Sequence, residues 1–215
     1  MALLVYLFGL PASGKSHAGQ LLVKHFGFQF IEGDDCLSAD MLAALQAGRE
    51  LTPEQHTCFR NTIGDKVAAQ LATNLATPTP RNIVVAQRSY KNIHRENFVR
   101  RFPTASIWHV IASDSVRAER VSARTLSSTG SVAASTGYHQ DSKGFQPPTH
   151  PCETLVNDGR TDSLLIERMR ALLATLRGTY AAATTGLASG SVLTFSGIDR
   201  RVCDIGVGRV GIGCG

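Results

Sequence analysis

The chain has 215 residues, 43% of them hydrophobic and 18% charged, and 22 Lys and Arg against 17 Asp and Glu give a net charge of +5. A chain of this length buries roughly 70% of its extended surface in one core, and the composition excludes fibrous and low-complexity classes. The longest apolar run, residues 2–8, is far shorter than the roughly 20 residues that cross a bilayer and lacks the flanks of a signal peptide, so no membrane association is expected. Cys36, Cys58, Cys152, Cys203 and Cys214 form no C-x-x-C pair and have no His at zinc spacing, a pattern expected of reduced thiols in a cytoplasmic protein. The basic residues are dispersed, densest over residues 88–101, without the aromatic interleaving of a nucleic-acid platform. Nucleic acid is therefore not the expected partner.

In chain order, residues 3–8 read as a central parallel strand buried on both faces. Residues 15–26 carry Ala18, Leu21, Leu22, His25 and Phe26 at helical spacing. Residues 28–31 predict a second strand, ending at Glu32-Gly33-Asp34-Asp35. Ser38 caps a helix to Ala47, stopped by Gly48. Thr52 and Pro53 open another, running to about Ala76. Strands follow at 82–86 and 106–112, helices at 92–101 and from Ser113 or Asp114 to Arg124. Residues 125–151, rich in Ser, Thr, Gly and Pro, predict a long loop of the kind that serves as a lid. A short strand at 154–156 and a helix from Asp162 to Arg177 complete an α/β domain with a five-stranded parallel sheet over residues 1–178. Residues 179–215 predict a loosely attached tail with one possible edge strand at 192–195.

The chemistry is concentrated in Gly9-Leu10-Pro11-Ala12-Ser13-Gly14-Lys15-Ser16, a G-x-x-x-x-G-K-S loop between a strand and a helix. Backbone N–H groups of such a turn point at phosphates, the lysine reaches the β- and γ-phosphates, and the serine hydroxyl ligates Mg²⁺. Gly9, Pro11, Ala12, Ser13, Gly14, Lys15, Ser16 and the adjoining His17 are therefore assigned to nucleotide binding, with ATP and Mg²⁺ as the expected cofactors. A second glycine pattern, Gly206-x-Gly208-x-x-Gly211, has no helix after it and no room for a βαβ unit, so it carries no function.

Ligands of open α/β sheets lie beyond the carboxyl ends of the strands. There the sequence places Asp34 and Asp35, Gln87 and Arg88, Ser113 and Asp114, and Asn157 and Asp158. Phosphoryl transfer to a hydroxyl needs a carboxylate that takes or orients its proton and oxygens that hold Mg²⁺. Asp34 is the candidate base, Asp35 with Ser16 the metal side. Neither 82–86 nor 106–112 is followed at once by the Asp of a usual Walker B motif. Arg117, Arg120 and Arg124 share one helix face: Arg120 and Arg124 are candidates to clamp transferring phosphate, Arg120 and Asn157 to contact the nucleotide, and Arg117 reads as a solvated surface residue. Arg88, Lys91, Arg95 and His56 are candidates for the acceptor pocket.

With the loop, the acidic turn, the Gly48–Leu51 turn and the lid helix in place, residues 3–177 resemble the small gluconokinase-like sugar-acid kinases, relatives of shikimate kinase and the nucleoside monophosphate kinases. The resemblance implies a five-stranded parallel sheet, ATP and Mg²⁺, a closing lid, and phosphorylation of a small hydroxylated acceptor; an anionic acceptor and a homodimer are the further partner expectations. It matches the family's acidic pair at Asp34 and Asp35 and its R-x-x-x-R at Arg120 and Arg124. The departures fall on the acceptor side: Leu37-Ser38 replaces His-Pro, Met41 and Ala44 replace Asn and Lys, His56 replaces Arg, and Gln87-Arg88-Ser89 stands in the family's C-S-A-L-K segment. Two other readings stay open: a nucleotide or polynucleotide 5′-hydroxyl kinase, and a nucleotide-binding protein without transferase activity.

Overall fold

The computed structural model describes residues 2–126, 144–159 and 161–188, with side chains placed except at 124–126 and 182–188. The chain divides into two compact units, Met1–Leu172 and Leu173–Gly215; of the second, the described part is helical. In chain order the elements are β1 (Leu4–Phe8), α1 (Lys15–Phe26), β2 (Gln29–Glu32), a 3₁₀ turn (Gly33–Cys36), α2 (Ala39–Gln46), α3 (Pro53–Leu75), β3 (Ile83–Ala86), α4 (Asn92–Arg101), β4 (Ser106–Ile111), α5 (Asp114–Leu126), β5 (Glu153–Val156) and α6 (Asp162–Ala188).

The five strands form one parallel sheet in the order β2-β3-β1-β4-β5. β1 lies at its centre, with Leu4 to Leu7 paired to Ile83 to Ala86 on one side and Val5 to Phe8 paired to Ser106 to His109 on the other. Every residue of β1 is buried, as its unbroken apolar run predicts. Alternation along β1 sends Leu4, Tyr6 and Phe8 into a core with Ile63, Val67, Phe98 and Phe102, where the rings of Tyr6 and Phe98 stack at 4.1 Å. The chain leaves β1 for one half of the sheet and later crosses to the other half, so the crevice beyond the carboxyl end of β1 lies at the topological switch point.

Helix signals fall where the sequence sets them. Thr52 and Gln55 make a reciprocal capping box on α3, with Pro53 in its first turn. Predicted element limits hold to within one or two residues, with one exception. The helix predicted to end at Arg177 continues to Ala188, because Ala181, Ala182 and Ala183 favour helix without needing an amphipathic stripe. The predicted edge strand at 192–195 lies outside the described residues, as does most of the predicted lid. Its returning limb, though, is anchored: Phe145 packs against the core, and Gln146 N donates to the Tyr90 carbonyl at 2.8 Å. Among the described residues no helix is long and apolar enough to cross a membrane.

Candidate active site

The loop between β1 and α1 is shaped by close approaches. Gly9 has φ +151°, and a Cβ there would lie 2.2 Å from the Val110 carbonyl oxygen. Gly14 has φ +91°, and a Cβ there would lie 2.0 Å from Asn157 Nδ2. Between them Ala12 takes a left-handed φ of 59°, a conformation that a non-glycine residue holds only when its surroundings over-determine it.

Those surroundings are donors aimed at the loop's carbonyls. Lys15 Nζ donates to Gly9 O at 3.1 Å and Leu10 O at 2.9 Å. Arg117 Nε donates to Pro11 O at 3.2 Å, Arg120 Nη1 to Ala12 O at 3.1 Å, and Asn157 Nδ2 to Ser13 O at 3.1 Å. The amide of Ala18 takes Gly14 O at 2.9 Å. Six successive carbonyls are thus engaged; the Ser13 amide is spent on Leu10 O at 3.2 Å, while the first N–H groups of α1, which have no intrahelical acceptor, are available to an anion. The Ser13 hydroxyl oxygen is buried and has no hydrogen-bond partner among the described residues. A helix start with unspent amides, a lysine and a buried hydroxyl is the chemistry that fits a polyphosphate.

Beside Ser16 stands Glu32, the last residue of β2. Burial pushes its pKa up, Asp34 and Asp35 push it the same way, and the Ser16 hydroxyl and Lys15 oppose them. Glu32 escaped sequence reasoning, which took Asp34 and Asp35 as the candidates beyond the predicted strand end. The signal was its place one residue after that end, opposite Ser16. Among the described residues no three His, Cys, Asp or Glu side chains converge to hold a metal ion by themselves. Mg²⁺ needs no such cage, because it takes one or two carboxylates together with phosphate oxygens, and the hydrogen-bonded Ser16 and Glu32 fit that role.

On the opposite side Arg88 Nη2 lies 3.2 Å from Asp34 Oδ2. His56 and Arg60 of α3 lie within electrostatic reach of Lys91, the residue before α4, and of His94 in the first turn of α4. Burial lowers the His56 pKa, with Arg60 and Lys91 adding to the effect and Glu50 opposing it. His94 falls further, to about 4, through burial and the same two cations. Neither Arg60 nor Lys91 has an ion-pair partner among the described residues. Arg60 and His94 were missed in the sequence because they lie within helices α3 and α4 and adjoin no strand end.

Two residues occupy positions other than those expected. Arg117 is buried at 5% exposure and bound to the loop, not solvated. Arg95 does not reach an acceptor pocket: it is 2% exposed, donates to Ser89 O, Asn92 Oδ1 and Gln146 O, and lies 4.7 Å over the Phe8 ring. His17 Nε2 is 2.7 Å from Asp162 Oδ1 at the surface. Arg120 points into the loop and, through Nη2, to Asn157 Oδ1 at 2.9 Å. The side chain of Arg124 lies outside the described residues. Past β5, a cavity of about 480 Å³ opens along Asn157, Asp158, Thr161, Leu165 and Arg168, and Asn157 joins it to the loop.

The sheet order and this loop agree with known proteins. A curated shikimate kinase from Gloeobacter violaceus is 28% identical over 92 residues, which is 42% of this chain and 50% of that protein; the match thus spans about half the relative's length. A sugar kinase from Janibacter sp. superposes with TM-score 0.66 at 18% identity, covering 81% of this chain and 95% of that one. A gluconokinase from Sinorhizobium meliloti superposes with TM-score 0.60 at 23% identity, covering 85% and 96%. At these identities the two structures establish the fold, a five-stranded α/β P-loop kinase fold. The AAA_33 family profile, described as an AAA domain, matches residues 4–148. With two thirds of its length matched, including the phosphate loop and four of the five strands, the chain belongs to the AAA_33 family of P-loop domains.

Proposed function

We propose that the chain is an ATP- and Mg²⁺-dependent kinase that phosphorylates a hydroxyl group of a small anionic molecule of the sugar-acid class. One observation carries the reading: a phosphate loop whose Ser16 hydrogen-bonds Glu32 shares the carboxyl end of the sheet with an Asp34–Arg88 pair, while Arg60 and Lys91, without an ion-pair partner among the described residues, act together on His56 and His94. When bound, ATP supplies the phosphoryl group and Mg²⁺ neutralises charge on it. Loop amides and Lys15 hold the phosphates, and the cavity beside Asn157 gives room for a base. Asp34 accepts the acceptor's hydroxyl proton as that oxygen bonds to the γ-phosphorus and the bond to the β–γ bridging oxygen breaks, leaving ADP. Arg88 orients Asp34, and Arg60, Lys91 and His56 receive the acceptor's anionic group.

The gluconokinase fold neighbour and the shikimate kinase match support an alcohol acceptor. The departures at Leu37, Ser38, Met41 and Ala44 favour an acid other than gluconate. The test is ADP release over a panel of sugar acids, polyols, shikimate-like acids and nucleosides. Turnover with one anionic polyol, lost in Lys15→Ala, is expected; ADP release with no acid on the panel would count against the reading. A 5′-hydroxyl kinase of nucleotides or polynucleotides is the second reading, favoured by the +5 charge. It requires oligonucleotide-stimulated turnover that falls steeply with salt.

A further inference from the structure

We propose that Arg117 is a positioning residue for the phosphate loop, which sets polyphosphate affinity without touching the phosphate. The family motif matched in this helix is Arg120 and Arg124, one and two turns further on; Arg117 precedes it. Its side chain crosses from α5 to a loop 106 residues earlier and donates from Nε to the Pro11 carbonyl at 3.2 Å. From Nη1 it donates to Asp114 Oδ1 at 3.0 Å, and that carboxylate is 97% exposed. The cation is thus nearly buried while its counter-charge stands in solvent, an arrangement in which its field is weakly screened toward the loop and strongly screened toward Asp114.

Two consequences follow. The peptide between Pro11 and Ala12 is fixed with its carbonyl turned to Arg117, just ahead of Ala12 in its left-handed φ of 59°. Holding that carbonyl outward holds the following amide toward the anion side, so the ordering cost of the loop is met before a ligand arrives. The guanidinium also adds positive potential behind the loop, where a polyphosphate develops its interactions. Arg120 and Asn157 hold the next two carbonyls and are both assigned to the nucleotide as well, whereas Arg117 has no other role in the proposed transfer.

The inference rests on the loop being a polyphosphate cradle, and not on which acceptor the enzyme uses. Its test is calorimetric titration of the full chain with ADP and with inorganic tripolyphosphate, alongside amide hydrogen exchange over residues 9–16 and over α4. Arg117→Gln is expected to weaken both ligands about tenfold and to speed exchange in the loop while α4 keeps its protection. Arg117→Lys, which keeps the charge but not the fork, is expected to lie between, weakened about threefold. Unchanged affinity and loop exchange in Arg117→Gln would overturn the inference. So would an equal rise in exchange across loop and α4, which marks a general structural role. If Arg117→Gln does not fold, Arg117→Lys decides on the same two readouts. Failure of the wild type to bind either ligand would overturn the phosphate-cradle reading itself, whereas binding without transfer to any acceptor would overturn only the kinase reading.

Discussion

Arg88 Nη2 lies 3.2 Å from Asp34 Oδ2, joining the ends of β2 and β3 across the mouth of the site. Residues 54 positions apart meet because parallel pairing sets Glu32 against Ala86, so the chain just past each strand arrives at one place. The pair is partly exposed, with side-chain accessibilities of 25% and 46%. It therefore orients the carboxylate more than it stabilises the fold.

Asp34→Asn tests that division. The proposed role predicts a fall in kcat of about 10²-fold or more, with ADP affinity unchanged and stability altered by less than about 1 kcal/mol. Steady-state kinetics on the identified acceptor and a denaturant titration measure the two effects. An unaffected kcat would move the proton acceptor to Asp35.

Gly14→Ala tests the loop's geometry. The new Cβ would lie 2.0 Å from Asn157 Nδ2 at a φ of +91°, so Asn157 must release the Ser13 carbonyl. A loss of about 2 kcal/mol or more is expected, read as a lowered Tm, together with loss of measurable ADP binding. Retained affinity would show that the Asn157 contact is dispensable.

Arg95→Met tests the correction to the acceptor-side assignment. If the guanidinium serves the interior, its removal strands the acceptors on Ser89, Asn92 and Gln146 and costs about 2–4 kcal/mol. KM for the acceptor is expected to change little in the folded fraction. A stable variant with a raised KM would return Arg95 to the acceptor pocket.

His109 predicts an acid limb in stability. Its ring stacks 4.7 Å from Phe8 and 5.4 Å from Phe145. Burial, then Arg95 and Lys15, press its pKa down to about 4. Above about pH 6.5 the imidazole is neutral folded and unfolded, and stability is full. As pH falls from there to about 4 the unfolded chain takes a proton that the folded chain refuses, so stability drops. Below about 4 both are protonated and this contribution levels off. His109→Phe keeps the stack, and its Tm is expected to decline less than that of the wild type between pH 6.5 and 4. His94, also lowered to about 4, keeps part of the limb in the variant.

Much of the donor side was legible in order along the chain. An apolar run, a G-x-x-x-x-G-K-S turn and an amphipathic helix are local patterns, set by burial on both strand faces and by the backbone's need for glycine where φ is positive. The same holds for Thr52 and Pro53, whose capping role involves only neighbours. Helix α6 shows the limit of periodicity, since alanine propensity extends it where no apolar stripe is written.

The sequence by itself determined the strand–loop–helix unit, the parallel α/β class and the acidic turn after β2, because each depends on contacts within a few residues. Only the tertiary structure decided which charged residues are solvated and which are spent on the interior. Arg95 and Arg117 carry the same side chain as Arg88, yet burial and carbonyl acceptors commit Arg95 to the interior and Arg117 to the phosphate loop, while Arg88 pairs with Asp34 at the strand ends. Glu32 joined Ser16 for the same reason: the sheet brings the end of β2 to the start of α1. Charge says only that a residue has a donor or an acceptor to place, and long-range packing decides where it goes.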